Sequence, residues 1–228
     1  MKKLVIAHRG ASSMARENTL EAFQKAIDLR ADMIEFDVRR TRDQRYVIHH
    51  DPRIADKPLN EITCREVREI ARSMGFHVPE LEEALRLACG RIGLDIELKE
   101  EGYEKDVLDR ICDVLPKEDY IVSSFHAGSI SRVKQYRSGV RTGFIFKDAA
   151  ALTTGILEGD TDWLFPVQNL AAGELLDRMR RTGKRIAVWT VNDTKQMKRL
   201  LDDDRVEGII TDRADAALAV RTGRKAQE

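Results

Sequence analysis

Three short strings place reactive side chains at spacings that imply chemistry. His8-Arg9-Gly10 closes an apolar run. Met33 to Asp51 carries Glu35 and Asp37 two residues apart and ends in His49-His50-Asp51. Ile92 to Lys99 carries Asp95, Glu97 and Lys99 at alternate positions. On a β-strand, residues two apart share a face. Glu35 and Asp37 would therefore point together, as would Asp95, Glu97 and Lys99. Adjacent carboxylates repel and raise one another's pKa unless a cation neutralises them. A hard divalent metal does this with oxygen ligands. The plain alternative is a set of surface acids on half-exposed strands.

The histidines admit two readings as well. His8 beside Arg9 at a strand end suits proton transfer, since imidazole titrates near neutrality; alone it would be a hydrogen-bonded core residue. His49 and His50 point to opposite faces, so only one can enter a site, and periodicity does not choose between them. Asp51 either orients a histidine or caps the turn. His77 and His126 read as surface or packing residues. Trp189 is either core or the wall of a cleft. Arg39-Arg40 reads as a solvated pair without function. Asp95 shares the face of Glu97 but lies deeper, as a hydrogen-bonding neighbour.

The elements that would position these groups alternate regularly. Strands are expected at Lys3–Ala7, Met33–Val38, Ile92–Lys99, Tyr120–Ser124, Val140–Phe146, Asp162–Val167, Arg185–Val191 and Gly208–Thr211. Helical spacing marks Thr19–Leu29, Glu80–Ala88, Glu104–Leu115, Ser129–Tyr136, Glu174–Thr182, Thr194–Leu201 and Ala214–Arg221. A further helix is capped by Thr63 with Glu66 at capping-box spacing. Tyr46–His50 returns antiparallel to the second strand as a hairpin, and Pro52–Asn60 is polar and irregular. About eight strands alternating with helices predict an α/β fold, a TIM (β/α)8 barrel, with a short hairpin and insertion after the second strand. It would occupy residues 1–228 as one domain. Active sites in such barrels lie at the C-terminal strand ends. His8, Glu35, Asp37, Glu97, Lys99, Ser124 and Trp189 all fall at or near such ends.

Composition narrows the functions. The chain has 228 residues, 42% hydrophobic and 34% charged, as expected of a protein with a packed core. Lys+Arg and Asp+Glu both number 39, so no bulk basic field argues for nucleic acid. The N-terminal apolar run is too short for a signal-peptide core and no run reaches transmembrane length. A cytoplasmic location without a stable membrane anchor is the expectation. Cys64, Cys89 and Cys112 are scattered and form no disulfide framework or zinc knot.

Taken in order, HRG (His8–Gly10), ENT (Glu17–Thr19), IEFDV (Ile34–Val38), HD (His50–Asp51), PELEEAL (Pro79–Leu85), IELK (Ile96–Lys99), SF (Ser124–Phe125), WTVN (Trp189–Asn192) and ITD (Ile210–Asp212) resemble the glycerophosphodiester phosphodiesterase family. No single string is specific; the ordered set spans Ile6 to Asp212. The resemblance implies a TIM barrel that hydrolyses glycerophosphodiesters to an alcohol and glycerol phosphate with a divalent cation, Ca²⁺ or Mg²⁺. It makes His8 and His50 the acid–base pair, leaving His49 structural. It makes Glu35, Asp37 and Glu97 the metal carboxylates. Arg9 and Lys99 would meet the phosphate, Trp189 would wall the substrate, and Glu17 would stand near the metal. The sequence departs from the family pattern in three places. Arg16 stands where proline often precedes ENT. Gln44 replaces the glycine of a T-x-D-G turn. PRIADKPLNEIT replaces the usual stretch after HD, which implies a short insertion, an open cleft and an unassigned head-group choice.

Two other readings compete. A phosphodiesterase of lysophospholipids or phosphatidylinositol would want an exposed apolar rim or amphipathic anchor. A silent barrel that only binds phosphorylated ligands would have no physical need for both histidines and three acids.

Overall fold

The structure, a computed structural model, describes residues 2–223. Eight parallel strands form a closed ring: β1 (Leu4–His8), β2 (Met33–Arg40), β4 (Gly93–Leu98), β5 (Tyr120–Ser124), β6 (Thr142–Phe146), β7 (Trp163–Pro166), β8 (Arg185–Val188) and β9 (Gly208–Thr211). The ring closes because β1 pairs with both β2 and β9. β3 (Tyr46–Ile48) lies outside it, antiparallel to the end of β2, as the hairpin pattern predicts. Helices separate successive barrel strands, including α1 (Leu20–Asp28), α3 (Leu81–Ala88) and α5 (Ala127–Tyr136).

Two apolar layers hold the ring. Val5, Ile34, Phe36, Leu94, Ile96, Val122 and Val188 face outward into a large core shared with the helices. Ile6, Met33, Ile121, Ile145, Trp163, Phe165, Ala187 and Ile210 fill the interior below the mouth. The alternation follows from strand geometry, which sends successive side chains to opposite faces. Gly143 is required by this filling, because a β-carbon there would collide with the Phe165 ring.

Local signals set most element ends. The Thr19 side chain accepts from the Ala22 backbone N–H and caps α1. Thr63 and Glu66 form the expected capping box of helix α2 (Cys64–Ser73), a device worth about 1 kcal/mol.

One sequence expectation needs correction. Pro52–Asn60 is not irregular throughout: Arg53–Ile54 pairs with Lys57–Pro58, and a 3₁₀ turn follows at Leu59–Glu61. Ile54 and Leu59 are buried with Val47, Ile62, Val67 and Val78, which gives the insertion a small core of its own. A short helix without a sequence signal, Thr154–Glu158, also precedes β7; its five residues are too few for periodicity to mark.

Gln44, standing where the family pattern has glycine, has φ +58°. A side chain in this region is strained, and glycine relieves that strain. Gln44→Gly is therefore expected to stabilise the protein by roughly 0.5–1 kcal/mol, read as a higher urea midpoint at unchanged slope.

Candidate active site

Strand register assembles the site at the C-terminal end of the ring. His8 of β1 lies beside Glu35 of β2, Glu35 beside Asp95 of β4, and Asp37 beside Glu97. A cavity of about 260 Å³ opens there. His8, Arg9, Glu35, His50, Asp95, Glu97 and Lys99 form its polar side, and Phe125, Ile145, Phe165, Trp189 and Ile210 its apolar side. Of the site residues expected from the sequence, His8, His50, Arg9, Lys99, Trp189, Glu35 and Glu97 therefore line one cavity. Asp37 is fully buried and closes the carboxylate group. No residue of Pro52–His77 lines it.

Glu35, Asp37 and Glu97 each offer an oxygen within 4.8 Å of the others. The loop after β1 turns Arg9 and Asn18 onto them. Gly10 permits this turn: its φ is +85°, and a β-carbon would strike the Ala22 backbone at 2.7 Å. Arg9 and Asn18 both adopt φ +56°, a conformation asparagine tolerates and arginine rarely adopts. The Arg9 backbone N–H donates to Glu35 Oε2 at 3.0 Å, while its Nε lies 3.2 Å from Asp37 Oδ2. Its Nη1 reaches both Glu17 oxygens at 3.0 Å. Asn18 donates to Asp37 Oδ2 at 2.7 Å. Lys99 Nζ stands 2.7 Å from Glu97 Oε1 and 3.2 Å from Asp37 Oδ1, yet neither oxygen receives a well-directed hydrogen bond.

The electrostatics are unbalanced. Burial is the chief force on every carboxyl here. It pushes Glu35 well up, reinforced by Asp37 and Glu97, and lifts Glu97 to about 7. Asp95, fully buried and without a well-formed hydrogen bond among the described residues, also rises to about 7. Ser123 eases that charge slightly, but its hydroxyl makes no well-formed bond. Asp37 alone falls: burial acts against it, but Lys99, Arg9 and the Asn18 amide outweigh that cost. Four buried carboxyls thus crowd around the cations of Arg9 and Lys99, and a bound cation would favour the ionised form that burial opposes. The all-oxygen donor set, with Asp37 Oδ1 and Glu97 Oε1 buried and unsatisfied, fits a hard cation.

Each lining histidine is tied to a carboxylate. His8 Nδ1–H donates to Asp212 Oδ1 at 2.6 Å, and His50 Nδ1–H to Asp51 Oδ1 at 2.8 Å. These bonds leave Nε2 of each ring available to a ligand. Asp212 is itself held by the Asn192 amide at 2.5 Å and by Ser12 Oγ at 3.3 Å. Burial pushes Asp212 up, but the His8 bond leads the interactions that bring it below the usual range. The Asp51 carboxyl is likewise lowered, chiefly by its bond to His50. His49 does not line the cavity; its Nε2 meets the Arg53 carbonyl at 3.2 Å.

Several residues depart from their sequence reading. Arg39 is buried rather than solvated: its Nε donates to the His50 carbonyl at 2.7 Å and its Nη1 to Glu100 at 2.8 Å. The reason is that β2 continues to Arg40, which puts Arg39 on the face of Glu35 and Asp37. Ser124 lies outside the cavity, donating to the Leu98 carbonyl at 2.7 Å, and the next residue, Phe125, lines it instead. Asp95 hydrogen-bonds to nothing among the described residues. Asn18, Asn192 and Asp212 have no role in the sequence reading, although they belong to ENT, WTVN and ITD. Lys147 carries no sequence signal.

Fold and site together define a (β/α)8-barrel enzyme whose acids, imidazoles and cations converge at the mouth of the ring. Comparison with known proteins agrees. The family model for the glycerophosphoryl diester phosphodiesterase family matches residues 8–216. A glycerophosphodiester phosphodiesterase of Caldanaerobacter subterraneus subsp. tengcongensis is 30% identical over 232 residues, 93% of this chain and 95% of that one. The crystal structure of the glycerophosphodiester phosphodiesterase of Thermotoga maritima superposes with a TM-score of 0.80 at 25% identity, covering 97% of this chain and 99% of that one. An Oleispira antarctica phosphodiesterase, solved in complex with the product sn-glycerol-3-phosphate, superposes at 0.84 and shares the fold at 21% identity, covering 95% and 96% of the two chains. The chain belongs to the glycerophosphoryl diester phosphodiesterase family and is a phosphoric diester hydrolase.

Proposed function

We propose that this enzyme hydrolyses glycerophosphodiesters to an alcohol and glycerol 3-phosphate by acid–base catalysis from His8 and His50, with a divalent cation on Glu35, Asp37 and Glu97. The observation that carries the reading is the meeting of two carboxylate-anchored imidazoles and three buried carboxylates around one cavity. The product bound by the Oleispira relative supports the same substrate class.

A phosphodiester is anionic and resists attack, so charge must be neutralised, a nucleophile activated and the leaving oxygen protonated. Ca²⁺ or Mg²⁺ held by the three carboxylates would neutralise charge on the diester and acidify the attacking hydroxyl. Arg9 offers a planar fork and Lys99 a point charge to the phosphate oxygens. One imidazole Nε2 takes the proton of the nucleophile, which is water, or the substrate's own glycerol 2-hydroxyl, in which case a cyclic phosphate forms and water then opens it to glycerol 3-phosphate. The other donates a proton to the departing alcohol as the P–O bond breaks. Asp212 and Asp51 hold the rings in the tautomer that presents Nε2. Trp189, fixed by its Nε1–H bond to the Phe165 carbonyl at 2.8 Å, walls the organic part of the substrate.

No described helix is long and apolar enough to cross a membrane. We place the enzyme in the cytoplasm, acting on small diesters, a reading supported by its three free cysteines. The test is release of glycerol 3-phosphate from a glycerophosphodiester, with and without chelator. Turnover that EDTA abolishes supports the reading, and no turnover on any such diester with added Ca²⁺, Mg²⁺ or Mn²⁺ contradicts it.

A further inference from the structure

The apolar side of the cavity ends in an aromatic corner. The Phe125 and Trp189 rings meet edge to face with centroids 5.5 Å apart. Such a corner is a site for a cation, because ring faces carry negative charge and attract ammonium groups. In this chain the corner already holds one. Lys147 Nζ stands 5.4 Å from the Phe125 centroid and 5.6 Å from that of Trp189, and Lys147 lines the cavity. It forms no ion pair among the described residues, and the neighbouring Asp148 carboxylate accepts from the Ala150 N–H instead. Lys99 Nζ stands 5.8 Å from the Phe125 ring, so a second cation reaches the same aromatic group.

We propose that Lys147 determines head-group specificity: by occupying the cation position of the Phe125–Trp189 corner, it disfavours diesters of cationic alcohols and favours those whose alcohol is neutral or anionic. The inference rests on the glycerophosphodiesterase reading and adds the substrate class to it. The glycerol arm is uncharged in every such substrate, so Lys147 discriminates only on the alcohol arm. A choline or ethanolamine group entering the corner meets like charge where an unoccupied corner would attract it. A polyol, carboxylate or second phosphate meets a free donor. Lysine is suited to this because it carries a compact charge on a long flexible stem.

The experiment compares kcat/KM for glycerophosphocholine and glycerophosphoglycerol in the wild type and in Lys147→Met and Lys147→Glu. The wild type is expected to prefer glycerophosphoglycerol. Lys147→Met should raise the choline-to-glycerol ratio about tenfold, the scale of a single cation–aromatic interaction, and Lys147→Glu should raise it further. Added salt should shrink the wild-type preference, as expected of charge at an open mouth. A ratio unchanged in both variants, with both substrates still turned over, overturns the inference and leaves the glycerophosphodiesterase reading standing. Absence of turnover on both diesters by the wild type overturns both.

Discussion

Replacing His50 with alanine is expected to lower kcat/KM by about 10²–10⁴, and His8→Ala should do the same. Both rings line the cavity, and each is fixed through Nδ1 to a carboxylate, so each presents Nε2 to whatever binds there. The two jobs, removing a proton and supplying one, belong to one reaction. The double variant should therefore be little worse than either single one, because residues acting as a unit do not contribute additively. His49→Ala is the control. Its ring meets the Arg53 carbonyl and stays out of the cavity, so its loss should leave the rate within a small factor. Steady-state kinetics on one glycerophosphodiester, with circular dichroism to show that each variant folds, measures all four. An inactive His49→Ala beside an active His50→Ala would reverse the assignment.

The second large effect concerns the carboxylates. Glu35→Gln keeps the shape of the side chain and removes one charge from the group of three. Divalent-metal affinity is expected to fall by at least about 10- to 100-fold. Affinity should also depend on pH, with a definite sign. In the metal-free protein, burial together with Asp37 holds Glu35 well above the usual carboxylate range and Glu97 at about 7. A cation must displace those protons, so binding tightens as pH rises through about 7 and weakens below it. Glu35→Gln removes one of the titrating groups and should flatten that dependence. Isothermal titration of the metal-free protein at several pH values reads both effects. An unchanged titration curve would remove Glu35 from the ligand set.

These two predictions use residues that the sequence made visible, and the reason is geometric. Period-two spacing within a strand is a local property, so Glu35 and Asp37, or Glu97 and Lys99, could be assigned to one face without any knowledge of the fold. Regular alternation of strands and helices then closed the ring and brought the two pairs together. The fold was legible for the same reason: Tyr120–Ser124, Gly208–Thr211 and Ala214–Arg221 carry their expected boundaries. What escaped was set by long-range contact. Asp212 meets His8 across the seam of the ring, 204 positions away in sequence. No periodicity joins them. Arg39 escaped because strand ends are weakly marked, and a two-residue extension decided whether it lay in water or under His50. Lys147 escaped because one lysine after an apolar strand reads as surface, and only Phe125 and Trp189 from beyond other strands give it a place.

Asp95 marks where local reasoning was half right. It lies deeper than Glu97 on the same face, as spacing requires, but it has no hydrogen-bond partner among the described residues. An unpaired buried carboxyl is costly, and it persists here as part of an acid cluster that two cations do not neutralise. A divalent ion at the mouth of this barrel would relieve that crowding of carboxyls.

The most direct test is glycerol 3-phosphate release from glycerophosphoglycerol by the wild-type enzyme, first after EDTA treatment and then after Ca²⁺, Mg²⁺ or Mn²⁺ is restored. Negligible release is expected from the chelated enzyme, with recovery in at least one of the three ions. Full activity in the chelated, metal-depleted enzyme would contradict the metal site, and no release under any of these conditions would contradict the proposed reaction.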